Sequence, residues 1–289
     1  VFAFNGTVKY SGTGAQVLAA KGGNVGGADP IVYTNLTLSN TGVKTTAAGL
    51  ITTVNGTLSM QGVATAALGA GSAIVYGVGG SLEYAGSATQ TSTSIEFPVV
   101  AGPVNLIINN SNGVSLHAPR TISGVLTFTT GKFTLGANQF TISNNVPAAI
   151  VGHNTNSYVV TNGTGTLQRA IAATTNSYDF PVGNADFYKL ANITYTTAPT
   201  TGFLSARWNV GYAGWFNGGP LVELDGGAPD INLNTVAYNG SWFIDPDINL
   251  IGGFYTGTFT GNGDNVVINY LQTVLVKRPT TPPMQPWVL

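Results

Sequence analysis

The densest set of oxygen donors in this chain is Asp245-Pro246-Asp247-Ile248-Asn249, preceded by Glu223, Asp225 and Asp230. Alternating Asp, Asp and Asn oxygens on a turn are hard ligands of the kind Ca²⁺ takes. Asp245, Asp247 and Asn249 are therefore the candidate calcium ligands. The full calcium-loop pattern is missing, with no Gly at the sharp turn and no terminal Glu. The competing reading is a polar turn leading out of Trp242-Phe243-Ile244. Glycoside hydrolysis asks for two carboxylates flanking one bond. The first half of the chain offers only Asp29, Glu83 and Glu96, which read as solvated face charges. His117 and His153 are the only histidines, and no Ser-His-Asp order or metal spacing accompanies them. No catalytic residue is assigned, and the expectation is a protein that is not an enzyme. In Tyr212-Ala213-Gly214-Trp215-Phe216-Asn217, Trp215 and Phe216 are candidates for stacking on sugar rings, although large aromatics more often close a core.

The elements that would position these groups announce themselves by repetition. Thr7-Val8-Lys9-Tyr10-Ser11-Gly12, running on to Gln16, recurs as Ser81-Leu82-Glu83-Tyr84-Ala85-Gly86, running on to Gln90. Asn35-Leu36-Thr37-Leu38-Ser39-Asn40 recurs as Asn105-Leu106-Ile107-Ile108-Asn109-Asn110, and Val54-Asn55-Gly56-Thr57-Leu58 as Ile122-Ser123-Gly124-Val125-Leu126. The offsets are 74, 70 and 68 residues, so the copies keep their order and differ in loop length. Such a pattern means stacked units that bury one continuous core against their neighbours. Within each copy Leu36 and Leu38, or Leu126 and Phe128, alternate with Thr, Ser and Asn, which is the period of a strand with one wet face. The expectation is an all-β chain: a parallel β-solenoid with several turns per long repeat, followed by an antiparallel β-sandwich.

Composition sharpens this. Charged residues are 7% of the 289, against about 25% in ordinary soluble domains. Hydroxyls and amides must then solvate the surface. A net charge of −1 supplies no basic field for nucleic acid. The absence of cysteine removes disulfides and thiolate metal sites. No apolar run reaches the roughly 18 residues of a membrane span. Three of the eleven carboxylates lie before Val146 and eight after Thr161, and all four tryptophans fall in the later part. That shift divides the chain into a repeat solenoid over 1–150, a sandwich over 157–276 and a Pro-rich linker or tail over 277–289. The chain opens directly in a strand pattern, so Val1, Phe2, Phe4 and Val8 are expected to form an assembly edge. Its partner would be another subunit or a neighbouring segment of the same longer precursor.

Thr130-Gly131-Lys132-Phe133-Thr134-Leu135-Gly136-Ala137-Asn138, Tyr158-Val159-Val160-Thr161-Asn162-Gly163-Thr164-Gly165, Phe180-Pro181-Val182-Gly183 and Gly240-Ser241-Trp242-Phe243-Ile244 carry a resemblance. They are similar to the Thr/Gly/Asn-rich repeat regions of large secreted surface proteins of Bacteroidetes, of the kind exported by type IX secretion. The resemblance runs from about residue 4 to 276. It implies an extracellular or cell-surface protein, adhesin-like or structural, with no catalytic residues to transfer. The alternatives are a carbohydrate-binding module for surface glycans and, behind it, a polysaccharide-degrading enzyme.

Overall fold

The computed structural model describes residues 2–18, 30–161, 163–209, 221–222, 232–233 and 240–261. They are nearly all strand; the one helical element among them is the short 3-10 turn Pro147–Ala149. The chain forms two compact units, residues 1–209 with 242–260, and residues 210–241 with 261–289. In the smaller unit the described strands are the antiparallel pair Leu221–Val222 and Asn232–Leu233. The larger unit is a parallel β-solenoid of about seven turns that ends in antiparallel strands.

The first face of the solenoid stacks Phe2–Tyr10, Ile31–Leu38, Thr57–Gly62, Ser81–Gly86, Asn105–Asn109, Leu126–Thr130 and Ile150–Val151, every pair parallel. Their register places Val8, Leu36, Leu58, Leu82, Leu106, Leu126 and Ile150 in one row, with Tyr10, Leu38, Met60, Tyr84, Ile108 and Phe128 in the next inward row. From Leu36 to Leu126 the first row is completely buried. Burying a Leu side chain is worth about 1.5–3 kcal/mol, so the row is a continuous spine. The step from Leu36 to Leu106 crosses three turns. The 70-residue repeat of the sequence is thus a triplet of turns, each of 20 to 28 residues.

The second face begins with Gln16–Val17, Val43–Thr45 and Thr65–Ala67. It resumes with Gln90–Thr91, Val114–Ser115, Phe133–Thr134 and Val159–Val160. The two stretches belong to separate sheets, so the ladder is interrupted between the third and fourth turns. Arg120–Ile122, Phe140–Ile142 and Leu167–Ile171 line the third side of the last turns. The corners explain part of the sequence repeat. Gln16 accepts the N–H of Gly12 and Gln90 that of Gly86, each at 2.8 Å. The same side-chain bond thus recurs three turns apart.

The change of composition after Val146 does not coincide with a change of fold. Val159–Val160 and Leu167–Ile171 are still parallel partners of Phe133–Thr134 and Phe140–Ile142. Ser177–Gly183 adds one more parallel strand. Only then does direction reverse: Tyr188–Tyr195 and Tyr255–Phe259 extend the second face antiparallel, and Gly202–Asn209 extends the third face antiparallel. The two extended sheets enclose Tyr178, Phe180, Ile193, Leu204, Ala206 and Trp208. Trp242 packs edge-on to Trp208 at 4.5 Å and against Phe259 at 5.0 Å. The antiparallel layers therefore share the solenoid's core instead of starting a new one. The last part of the expected sandwich, over 262–276, lies outside the described residues.

Candidate functional site

In the expected calcium turn the Asp247 carboxylate is taken up by backbone amides, one of them from another strand. Oδ1 of Asp247 accepts the amides of Phe203 (3.0 Å), Asn249 (3.2 Å) and Leu250 (3.0 Å), and Oδ2 accepts Nδ2 of Asn249 at 3.2 Å. These bonds, that from Phe203 foremost, hold the Asp247 carboxyl below its ordinary range. Asp245 is exposed. Among the described residues no three His, Cys, Asp or Glu side chains converge as a metal site. Asp247 thus staples the turn to the strand Gly202–Asn209, the role of an Asx turn. Trp215, Phe216 and Val1 lie outside the described residues. Phe2 pairs with Ile31, Phe4 stacks on Tyr33 at 5.0 Å, and Val8 pairs with Leu36, so this first strand is built into the first face.

The structure concentrates titratable groups elsewhere, beside the interrupted ladder. Between Gln90–Thr91 and Asn105–Asn109 the chain makes an irregular excursion instead of a third-side strand. Glu96 lies on it, expected as a solvated face charge. It is instead 2% exposed, because the excursion folds into the space the missing strand leaves. A buried carboxylate is tolerated only when its oxygens are hydrogen-bonded. Oε1 of Glu96 accepts the Tyr84 hydroxyl at 2.9 Å and the Thr93 amide at 2.5 Å, and Oε2 accepts the Thr93 hydroxyl. Tyr76 donates to the Glu96 carbonyl at 2.5 Å. Burial, and then the Glu96 charge, push both phenols well above their ordinary range.

Arg120 and His117 brace the same excursion. Arg120 donates from Nε to the Phe97 carbonyl at 2.6 Å and from Nη2 to Ser94 Oγ at 2.9 Å. Its Nη2 also stands 2.7 Å from His117 Nε2. An arginine only donates, so Nε2 is the acceptor and the imidazole proton sits on Nδ1, facing Ser92 Oγ at 2.7 Å. Burial first, and Arg120 second, lower the His117 pKa. A chamber of about 160 Å³ opens between the two stretches of the second face, lined by Met60, Ala64, Ala66, Tyr84, Thr91 and Glu96 among others. Among the described residues Glu96 is its one carboxylate, whereas glycoside hydrolysis needs a pair. With its oxygens already occupied, Glu96 ties the excursion to the core.

Glu83 is where its strand predicts, outward in the row of Lys9, Thr37 and Ser59. Ser59 donates to it at 2.6 Å and Asn109 at 2.9 Å. His153 also acquires partners: Nδ1 lies 2.8 Å from the Tyr188 hydroxyl and Nε2 lies 3.4 Å from Asp179 Oδ2. Its hydrogen bond lowers the Asp179 pKa, against the opposing effect of burial.

Sequence reasoning missed the interior cations. Among the described residues four of the seven lysines and arginines, Lys44, Arg120, Arg169 and Lys189, are buried. Lys44 Nζ donates to the carbonyls of Gly12 (2.7 Å), Thr41 (2.8 Å) and Gly14 (3.1 Å), which uses all three of its protons. Arg169 donates to the carbonyls of Asp179, Val146 and Pro147 at 2.8–3.0 Å; burial lowers its pKa to about 10. The signal for Arg169 was legible, since it shares inward parity with Leu167 and Ile171.

No protein-family model matches this chain, and no curated protein or solved structure matches it significantly.

Proposed function

We propose that this chain is a non-enzymatic scaffold module of an extracellular or cell-surface protein, structural or adhesive in role. The observation that carries this reading is the spine: seven stacked strands with one aliphatic row in register from Val8 to Ile150. Such a core resists bending because each turn is fixed by its neighbours. Seven strands at about 4.8 Å spacing advance about 30 Å, the length of one module in a longer stalk. The interior ionic groups support the same reading. Lys44, Arg120 and Arg169 are consumed by backbone carbonyls, and Glu96 by Tyr84 and Thr93. Charged residues are only 7% of the chain, so there is little repulsion to keep neighbouring copies apart. Self-association, or docking onto adjacent segments of one precursor, is the partner this chemistry suits.

The test combines negative-stain electron microscopy and light scattering with a reducing-end assay on a polysaccharide panel. Regular stacks or discrete particles, with no reducing ends released, are expected. Release of reducing ends that disappears in Glu83→Ala or Glu96→Ala would sink the scaffold reading.

A further inference from the structure

Along the second face, where the corner turns of the last three solenoid turns stack, lies a hollow of about 260 Å³. Ser111, Asn112, Lys132, Thr134, Asn156 and Ala185 are among its walls, and among the described residues no carboxylate is. Its floor and rim are held in place. Asn110 is 1% exposed and its Oδ1 takes the amide of Asn112 at 2.9 Å. Asn154 takes the amide of Asn156 in the same way at 2.8 Å. On the opposite rim Asn184 Oδ1 accepts the amides of Asp186 and Phe187 at 2.9 and 2.7 Å, while its carbonyl accepts the Tyr158 hydroxyl at 2.9 Å. The side chains of Ser111, Asn112 and Asn156 are left exposed around the opening.

Among the described residues Lys132 is the one charged group of the lining. Its ammonium donates to the Ala185 carbonyl at 2.5 Å and rests 5.2 Å from the centre of the Tyr158 ring. A lysine has three protons to give, so one remains directed away from both. Among the described residues no carboxylate stands within ion-pair distance of it, and Asp186 serves the rim through its backbone. We propose that this hollow binds the carboxylate of an acidic sugar, a hexuronate residue, with Lys132 pairing the charge and the Ser, Thr and Asn side chains taking the ring hydroxyls. A single ammonium matches a monoanion. A phosphate dianion would call for a guanidinium fork or a nest of backbone amides, which this lining does not have. The volume suits one sugar ring, below the range of drug-sized pockets. The inference goes beyond the scaffold reading and does not depend on it, since a scaffold without this site would assemble in the same way.

The probes are D-glucuronate and a trigalacturonate, titrated into the full chain by calorimetry and saturation-transfer NMR at low salt, with D-glucose as the neutral control. Binding of either uronate at least tenfold tighter than glucose is expected, weakening with added salt as a charge pairing must. Lys132→Met should lose tenfold or more, Thr134→Val a few-fold, and Asp186→Asn should gain two- to threefold by removing a nearby negative charge. Thermal melts check that each variant is folded; should Lys132→Met not fold, Thr134→Val and Asp186→Asn carry the decision. Equal binding of glucose and glucuronate, or no uronate binding at tens of millimolar, overturns the proposal. Loss of uronate binding with unchanged particles in the microscope leaves the scaffold reading standing, so the two fail separately.

Discussion

The parallel turns and the antiparallel end of the larger unit build one core by different means. In the turns, successive strands offer the same kind of side chain at the same place, and Leu lies on Leu from Leu36 to Leu126. In the antiparallel end the space is closed by dissimilar aromatics, Tyr178, Phe180, Trp208 and Trp242, each in its own geometry. The first arrangement needs only that every turn resemble the one before. The second needs particular shapes to meet once. A solenoid can therefore be lengthened by copying, whereas its end must be fitted.

The largest effects should expose that difference. Trp208→Ala removes a side chain that is 2% exposed and touches Trp242; a loss of about 3–5 kcal/mol is expected. Leu106→Ala, in the middle of the spine and fully buried, should cost about 2–5 kcal/mol. Urea melts give both totals, and hydrogen exchange separates them. Trp208→Ala should loosen residues 177–209 and leave the first turns protected, while Leu106→Ala should unprotect turns on both sides. Equal loosening everywhere in both variants would mean that the two regions are one indivisible cooperative unit.

A corner test is next in size. Gly131 has φ +90° and a Cβ there would lie 1.8 Å from the Asn110 carbonyl oxygen, backbone against backbone of the next turn. Gly79 has φ +80° with nothing within 4 Å. Gly79→Ala should cost about 1–2 kcal/mol, the left-handed backbone alone; Gly131→Ala should cost more than that, because turns five and six must separate. Similar losses for the two would show that the corners yield without disturbing the stack.

The smallest expected effect is a pH dependence. His117 has its pKa lowered by burial and by Arg120, so the folded state binds this proton less readily than the unfolded chain. Its neutral form contributes fully above the unfolded value, about 6.5, and that contribution is lost as pH falls below it toward the lowered folded value. Thermal melts of the native protein should decline as pH falls below about 6.5. His117→Gln, which cannot be protonated, should flatten that decline. A slope that persists unchanged in the variant would assign it to other groups, Asp179 being the next to lose its contribution at lower pH.

Much of the solenoid was legible because its code is local. Alternation at Leu36-Thr37-Leu38 or Leu126-Thr127-Phe128 and the Gly…Gln corners need only a few neighbouring residues to be read. The three-turn length of the long repeat was not, since single turns differ too much in loop length to align by eye. Asp247 could not be assigned from its neighbours because its first partner, the amide of Phe203, is 44 residues away. Glu96 looked like a surface charge for a related reason. Whether an irregular segment is outside or inside depends on the turns above and below it. The break in composition after Val146 follows the shift from aliphatic to aromatic packing, and strand direction reverses only after Gly183.

The triplet of turns also makes this protein a ruler. Inserting one more 70-residue copy would advance everything beyond it by three strand spacings, about 14 Å. Whole turns add distance with only the twist between stacked strands, so the Lys132 hollow would change chiefly its height. An insertion of a fractional turn would swing it to another side. A longer chain of such copies would set the hollow farther from the first strand in equal steps of about 14 Å, like the marks on a rule.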